Sequence, residues 1–426
     1  MEGMQNIDEL IADFGGYIQD SPSSYHAASA GAARLERAGF TRLDEAEAWP
    51  TSAGRYLVIR DGALVAWVQP AVATATTGFR ILGAHTDSPG FKLKPKPSIG
   101  SDGWLQAGVE VYGGPLLNSW LDRELELAGR LVLRDGTEHL VRTGPYLRIP
   151  QLAIHLDREA NNGLALNRQR QTQPVYGVGD RSSADLVAHL AALAGVDAAE
   201  VAGYDILTAD TQAPARFGQN GELFAAGRMD NLTSVWAGLH AIETLTADPE
   251  HIVMLAAFDH EELGSETRSG ASGPLLAEIT ERISLGLGAD AAERARAYAG
   301  SWCLSADAGH SVHPNYGEMH DPNVRPLAGS GPLLKINANQ RYATDAHGAA
   351  LFARACEAAG VQYQEFVSNN TVPCGSTIGP LTATRLGIRT VDVGVPLLSM
   401  HSARELCHVN DPIALSGAIS AFFAGA

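Results

Sequence analysis

Two adjacent glutamates in a short acidic string are the residues of this chain best suited to chemistry. The string DHEELGS covers residues 259–265 and places Glu261 and Glu262 shortly after a run of apolar residues. Because neighbouring side chains point in different directions, one carboxylate can hold a metal ion while the other takes a proton from an attacking water. This is the working pair of a metallohydrolase. A solvated acidic loop explains the same string equally well, so other parts of the chain must decide.

Five further residues with acidic or imidazole side chains lie near the ends of predicted strands. FRILGAHTDSPG ends its strand at His85 and continues to Asp87, while SWCLSA leads into Asp307 and RTVDVGVPLLSM into His401. Asp230 begins the helix that precedes the glutamate-bearing strand. Because the ligand crevice of an open α/β sheet lies outside the carboxyl ends of its strands, these loops can meet. Taken singly, a hydrogen-bonded loop explains His85 and Asp87, and a helix cap explains Asp230.

Together these loops supply two imidazoles and three carboxylates as candidate metal ligands. Such a set suits two divalent ions about 3.5–4 Å apart, with one bridging carboxylate and one imidazole and one acidic group on each ion. Oxygen and nitrogen ligands of this kind accept zinc, and they also accept manganese or cobalt. The spacing of the residues is not a local metal motif, and only the pattern of strand ends joins them.

The size and charge of the chain restrict its class. Its 426 residues exceed the roughly 250–300 over which a single core grows, so we expect at least two domains. The hydrophobic content of 45% is sufficient for large cores. With 48 acidic and 31 basic residues the net charge is −17, which disfavours nucleic acid or an anionic membrane as a partner.

Cysteine usage and the N-terminal segment predict a cytoplasmic protein. The four cysteines form no Cys-x-x-Cys pair, which indicates neither a disulfide framework nor a thiolate zinc site. The segment MEGMQNIDELIADF is acidic and lacks a basic start followed by an apolar stretch. No run approaches the roughly 20 apolar residues of a membrane span. We therefore expect no export and no membrane anchor.

The order of the predicted elements indicates an α/β protein interrupted by a β-rich insertion. Apolar residues at helical spacing after two serine caps predict a first helix over 24–38. Short strand candidates and turn signals dominate from about residue 94 to 223, whereas helical and buried-strand patterns return afterwards. We therefore predict a discontinuous domain, 1–93 and 224–426, with an inserted domain over 94–223. Outside the insertion, strands are predicted at 55–59, 64–68, 79–85, 251–258, 301–306 and 388–393. Later helices are predicted at 346–359 and 412–424.

Six short motifs occur in a fixed order along the chain. They are AHTDSPG at 84–90, GRMDNL at 227–232, FDHEELGS at 258–265, SADAGHSVHPNY at 305–316, KINANQRYATD at 335–345 and MHSARE at 400–405. Together they resemble the aspartyl aminopeptidase family of dinuclear zinc metallopeptidases. The likeness begins at QDSPSSYHAA, includes RIPQLAIHLDRE and extends to the C-terminal region, so it covers nearly the whole chain.

The resemblance implies a metal-binding role for five residues. His85 and Asp307 would bind one ion, Glu262 and His401 the other, and Asp230 would bridge the two. Zinc is the metal that the family uses, two ions for each subunit. The assignment matches the ligand set that the strand ends supply, and no motif departs from the family pattern at these positions.

The resemblance also implies the remaining catalytic groups and the architecture. Glu261 would be the general base, and Asp87 would orient the imidazole of His85. The family fold is a mixed-sheet α/β catalytic domain with an inserted β-rich dimerisation domain, and its dimers assemble into a tetrahedral homododecamer. This agrees with the change of character over 94–223.

Four residues match family positions that contact substrate: Lys335, His310, Tyr342 and His155. Lys335 stands in GPLLKINANQ, a stretch with no other charge, where an ammonium group is costly unless it meets an anion. A snorkelling surface lysine is the alternative interpretation. His155 lies in LAIHLDRE and matches a histidine that the family supplies to a neighbouring subunit, whereas a core or surface histidine is the alternative.

The implied activity is a metal-dependent aminopeptidase that removes N-terminal Asp or Glu from peptides. A broader-specificity aminopeptidase or a deacylase of the same dinuclear fold is the alternative enzyme. A non-catalytic metal-binding shell subunit is an alternative of another class, but such a protein is expected to lose the base, and Glu261 is present.

Overall fold

The computed structural model describes residues 2–246 and 248–426 as a mixed α/β protein. Its helices are α1 (Glu2–Asp20), α2 (Ser24–Arg37), α3 (Leu186–Ala194), α4 (Met229–Glu243), α5 (Leu275–Gly286), α6 (Ala291–Ala299), α7 (Ala346–Ala359), α8 (Ile378–Leu386) and α9 (Asn410–Phe423). Its strands are β1 (Thr41–Arg42), β2 (Gly54–Arg60), β3 (Ala63–Gln69), β4 (Phe79–His85), β5 (Gly90–Ser101), β6 (Trp104–Tyr112), β7 (Leu125–Leu133), β8 (Glu138–Arg142), β9 (Val175–Val178), β10 (Val201–Asp210), β11 (Ala215–Phe217), β12 (Leu223–Ala226), β13 (Ile252–Phe258), β14 (Trp302–Ala306), β15 (Gly309–His310), β16 (Leu333–Lys335), β17 (Gln364–Phe366), β18 (Arg389–Gly394), β19 (Pro396–Leu397) and β20 (Glu405–His408).

A nine-stranded mixed sheet forms the centre of the described chain, in the order β1-β2-β3-β13-β4-β14-β18-β16-β17. The central strands β13, β4, β14 and β18 run parallel, whereas β3 and β16 pair antiparallel with β13 and β18. Every residue of β4 and β13 is buried, as expected for parallel strands covered by helices on both faces. The predicted mixed-sheet α/β fold is confirmed.

A second sheet is antiparallel and contains six strands in the order β8-β7-β10-β5-β6-β9. It begins at Gly90 and ends at Asp210, and α3 packs its apolar side chains Leu186 and Leu190 into the same core. The next two strands form a separate three-stranded sheet in which β11 pairs with β12 and β12 pairs with β20, near the end of the chain. The β-rich character predicted for the middle of the chain is present, and the division at residues 94 and 223 stays a prediction.

The two faces of the large sheet carry separate cores because successive residues of a strand point to opposite sides. Leu82 of β4 belongs to the core built with α1, α2, α4, α7 and α9, whereas its neighbour Ile81 packs with residues of α5 and α8. In α4 the apolar side chains of Leu232, Val235, Trp236, Leu239 and Ile242 are fully buried. Within the described residues, no helix has both the length and the apolar character needed to cross a membrane.

The helix at Glu2–Asp20 is an element that the sequence analysis missed. The sequence of this segment was used only to predict that the chain has no export signal. The helix predicted over 24–38 as the first one is therefore the second, α2. Phe14 and Ile18 of α1 are buried, and the ring of Phe14 lies 5.2 Å from that of Trp236. Arg228 also donates to the carbonyl oxygen of Ile18 at 3.2 Å, so α1 supports the segment that leads into α4.

Candidate metal centre

Three neighbouring parallel strands deliver acidic and imidazole side chains to one edge of the large sheet. β4 ends at His85, β13 ends three residues before Glu261, and β14 ends immediately before Asp307. Phe258 at the end of β13 pairs in register with His85. Because the three strands are parallel, the loops that follow them leave the sheet on the same side, as the sequence analysis expected.

His85, Asp230 and Asp307 form a first group of candidate ligands. The Nε2 atom of His85 lies 3.3 Å from Asp230 Oδ1 and 3.4 Å from Asp307 Oδ1. All three residues are buried, and their ligand atoms lie within 4.8 Å of one another. Burial alone would lower the pKa of His85, but the surrounding carboxylates raise this pKa well above its ordinary value.

Asp230, Glu262 and His401 form a second group, which shares Asp230 with the first. The Nε2 atom of His401 lies 3.4 Å from Asp230 Oδ2 and 3.5 Å from Glu262 Oε2. The ligand atoms again lie within 4.8 Å of one another. The two carboxylate oxygens of Asp230 therefore face different imidazoles, which is the arrangement that a bridging carboxylate requires.

Asp87 holds the neighbouring loops together. Its Oδ1 accepts the N–H of Glu261 at 3.0 Å, and its Oδ2 accepts the N–H of Glu262 at 3.2 Å. Its main-chain oxygen lies 3.0 Å from Nδ1 of His85. A carbonyl oxygen can only accept, so Nδ1 carries the proton of this contact, and Nε2 is the ring nitrogen that faces the acidic side chains. The carboxylate thus contacts the glutamate loop, and Asp87 orients the imidazole through its main-chain oxygen, with its Oδ1 also 3.4 Å from Nδ1 of His85.

The buried carboxylates of the site favour a cation. Asp230 Oδ1 and Glu262 Oε1 are buried and have no hydrogen-bond partner among the described residues. Such atoms are costly unless an ion or water satisfies them. Burial and the nearby Asp230 raise the pKa of Glu262 well above its usual range. Burial opposes ionisation of Asp230, yet the imidazoles of His401 and His85 hold its pKa well below the usual range. The residues present therefore fit divalent metal ions with oxygen and nitrogen ligands.

Glu261 lies beside the two groups and is more accessible than its neighbour. Its side chain is 17% exposed, against 5% for Glu262. Its Oε2 lies 3.9 Å from His85 Nε2. Burial raises the pKa of Glu261 to about 7; the charge of His85 opposes this rise, and that of Asp307 adds to it. A carboxyl group with this pKa can both accept and release a proton near neutral pH.

Two residues at and just after the end of β6 also contact the site, and neither is among the residues predicted from the sequence. The hydroxyl of Tyr112, at the end of β6, donates to Asp87 Oδ2 at 2.9 Å. The carbonyl oxygen of Gly114 lies 3.0 Å from Nδ1 of His401 and therefore orients that ring. The sequence of this region, VEVYGG at 109–114, indicates a strand and a turn and no chemical role. No sequence signal could identify Gly114, because any residue type offers the same carbonyl.

Three of the four predicted substrate residues lie next to the metal centre. Lys335 is buried, donates to the carbonyl oxygen of Ala308 at 2.7 Å and lies 3.8 Å from Asp307 Oδ2. Its Nζ is 5.3 Å from the centroid of the Tyr342 ring. Tyr342 and His310 line a cavity of about 230 Å³ together with Phe366. The interpretation of Lys335 as a snorkelling surface residue is wrong, because the side chain is 2% exposed.

His155 is not part of this cluster. It lies in an exposed turn of the middle region, and it makes no hydrogen bond or ion pair with the site among the described residues. Large apolar side chains beside it are also exposed, with Leu152 at 55%, Ile154 at 47% and Leu156 at 75%. A core position is therefore excluded for His155 within its own chain.

The fold and the site together define a metal-dependent hydrolase, and comparison with known proteins specifies the family. Residues 17–423 match the family model described as aminopeptidase I zinc metalloprotease, M18. A probable M18 family aminopeptidase 2 of Streptomyces avermitilis is 54% identical over 426 residues, covering 99% of this chain and 98% of that protein. The chain therefore belongs to the M18 family, which is the aspartyl aminopeptidase family that its motifs resemble. It is a metal-dependent aminopeptidase that hydrolyses peptide bonds.

Solved structures of the family agree with the fold. The cryo-EM structure of a complex of Ape4 and Nbr1 contains a chain that is 32% identical, with a TM-score of 0.95 over 98% of this chain and 86% of that one. The mApe1 dodecamer of Saccharomyces cerevisiae is 29% identical, with a TM-score of 0.85 over 99% of this chain and 97% of that one. The fold of this chain is thus shared with both of these structures over nearly its whole length.

The geometry predicts that the two adjacent glutamates differ in their effect on metal content. Glu262→Gln should lose metal, because it removes a buried charge 3.5 Å from His401. Glu261→Gln should keep a metal content close to that of the unchanged protein. Elemental analysis of both purified variants, with the unchanged protein beside them, measures this. Metal loss from Glu261→Gln alone would reverse the two assignments.

Proposed function

We propose that the chain removes N-terminal Asp or Glu from peptides, with two divalent ions held side by side and Glu261 as general base. The main support is the sharing of Asp230 between two ligand groups, one completed by His85 and Asp307 and the other by Glu262 and His401. A shared carboxylate with a separate imidazole on each side suits a pair of ions.

Each residue then has a defined part in hydrolysis. His85 and Asp307 would hold one ion, Glu262 and His401 would hold the other, and zinc is the metal that the family description names. Bound zinc polarises the scissile carbonyl and increases the acidity of water. Glu261 accepts the proton of the attacking water and passes it to the leaving amine nitrogen.

The preference for an acidic first residue rests on Lys335. A buried ammonium next to the metal groups can meet the side-chain carboxylate of a substrate, with His310 and Tyr342 in the wall of the adjoining cavity. Its distance of 3.8 Å from Asp307 also supports a different role, in which Lys335 only places that carboxylate. Substrate comparisons separate the two roles.

Assembly of several subunits is the second part of the proposal. The exposed leucines and isoleucine beside His155 form an apolar surface of the kind that a protein partner covers. The related yeast protein is a dodecamer by its description. We therefore assign the middle β-rich region to dimer formation, His155 to the active site of a neighbouring subunit, and the whole assembly to a tetrahedral homododecamer.

A panel of aminoacyl chromogenic substrates tests the activity. Asp and Glu derivatives should be cleaved much faster than Leu derivatives, and N-acyl amino acids should not be cleaved. A chelator should abolish cleavage, and zinc, cobalt or manganese should restore it. Glu261→Gln should lower turnover by about 10²–10⁴. Equal rates for Glu and Leu derivatives would favour a broad-specificity aminopeptidase, and cleavage of the acyl derivatives would favour a deacylase. No cleavage at all would favour a metal-binding shell protein.

Substitution of Lys335 tests the specificity. Lys335→Met keeps most of the side-chain volume and removes the charge, and loss of one partner of a buried charge pair costs about 2–5 kcal/mol. We expect kcat/KM for Asp and Glu substrates to fall by roughly 30-fold or more, and kcat/KM for Leu substrates to change much less. Equal losses for Glu and Leu substrates, together with lost metal, would instead assign Lys335 to the placement of Asp307.

A mixing experiment tests whether His155 acts between subunits. His155→Ala and Glu261→Gln assemblies should each be nearly inactive. After dissociation and joint reassembly, a Glu261 from one chain can meet a His155 from the other. Activity should return to about a quarter of that of the unchanged protein if subunits pair at random in two-fold dimers. Verified mixed assemblies that stay inactive would show that His155 does not act across the interface.

A further inference from the structure

Glu405 connects two loops of the metal centre and has no role in the function proposed above. It is the first residue of β20, and it is 2% exposed. Its Oε1 accepts the main-chain N–H of His401 at 2.8 Å, and its Oε2 accepts the main-chain N–H of Asp230 at 2.9 Å. One buried carboxylate is thus bound at both oxygens by residues that carry candidate metal ligands.

The two N–H groups that Glu405 binds belong to irregular main chain. His401 has a positive φ of 65°, and Asp230 has φ of −82° and ψ of 104°, outside the helical range although it lies at the start of α4. Neither group is part of the hydrogen-bond pattern of a regular helix or sheet. Both of these N–H groups find their acceptor on the same buried side chain, so Glu405 is well suited to hold both loops in place.

The position of Glu405 in the fold explains how it reaches both loops. β20 pairs antiparallel with β12, and Glu405 lies opposite Ala226. β12 continues through a short turn into Asp230, while the loop before β20 carries His401. The strand pair therefore brings together the ends of two segments that are far apart in sequence. The carboxylate of Glu405 links them by accepting one N–H group from each.

We infer that Glu405 is a positioning residue, which sets the separation of Asp230 and His401 and so the metal affinity of the group formed by Asp230, Glu262 and His401. Glu405 is not itself a ligand, because both of its oxygens are occupied by N–H donors and it belongs to none of the groups whose atoms could hold an ion. This inference rests on the metal centre proposed above.

Zinc titration of the metal-free assembly, in competition with a chromogenic chelator, tests this inference. Glu405→Gln keeps the shape but turns an amide NH₂ towards one of the two N–H donors, so one hydrogen bond is lost. We expect the ion held by Asp230, Glu262 and His401 to bind about 10–100-fold more weakly, as for other residues that orient metal ligands, and the other ion, which shares only Asp230 with this group, to be weakened much less. Unchanged affinity at both sites would overturn the inference, and so would equal weakening of both.

A matched control is available in the second sheet. Glu126 is also 2% exposed, and both of its oxygens accept from Arg142, at 2.7 and 3.0 Å. Glu126→Gln should lower thermal stability and leave both zinc affinities unchanged. If it weakened zinc binding as much as Glu405→Gln does, the effect would be a general cost of a buried substitution, and the inference would be wrong.

A second variant separates geometry from charge. Glu405→Asp keeps the negative charge, but its shorter side chain cannot reach both N–H groups. We expect zinc binding to stay weakened at one site, and full recovery of the affinity would show that charge alone matters. The unchanged protein provides a separate test of the proposed centre in the same titration, because it must bind two ions per subunit. A stoichiometry of one would overturn the two-ion proposal itself.

Discussion

The structure depends on one constraint, the crowding of buried carboxylates around two imidazoles. Asp230 stands at the centre of this cluster and offers one oxygen to His85 and the other to His401. Buried carboxylate oxygens without hydrogen-bond partners are unfavourable in the chain alone, and bound divalent cations, two in the proposal above, would remove that cost. In that proposal the same ions would supply the electrostatic catalysis of peptide hydrolysis. Stability and function therefore depend on the same charges.

Several elements that are far apart in the sequence position these charged side chains. Parallel strands bring His85 and Asp307 together, α4 begins beside them with Asp230, and the segment after β19 carries His401. The second sheet also takes part, because Tyr112 binds Asp87 and the carbonyl oxygen of Gly114 contacts His401. The β-rich middle region is therefore physically connected to the metal centre within one chain. Changes in that region can reach the site through these two contacts.

Two features of this chain depart from the usual distribution of side chains, a buried lysine and a group of exposed apolar residues. Lys335 is a cation in an interior position, where it has the carbonyl oxygen of Ala308 and the more distant carboxylate of Asp307 as partners. Leu152 and Leu156 are apolar side chains that remain exposed in the isolated chain. An acidic substrate would add a partner for the buried cation, and a neighbouring subunit would cover the apolar side chains.

The sequence by itself determined the family and the main elements of the sheet. β4 was predicted at its observed bounds and β13 to within one residue, because continuous apolar runs are strong local signals. The ordered motifs also identified which acidic and imidazole residues to expect at the site. The N-terminal sequence did not reveal the helix α1. Nor did the sequence show the hydrogen-bonding roles of Tyr112, Gly114 and Glu405. Their roles arise from hydrogen bonds between segments that are far apart along the chain. Only the tertiary structure decides which donors and acceptors of those segments come within hydrogen-bond distance.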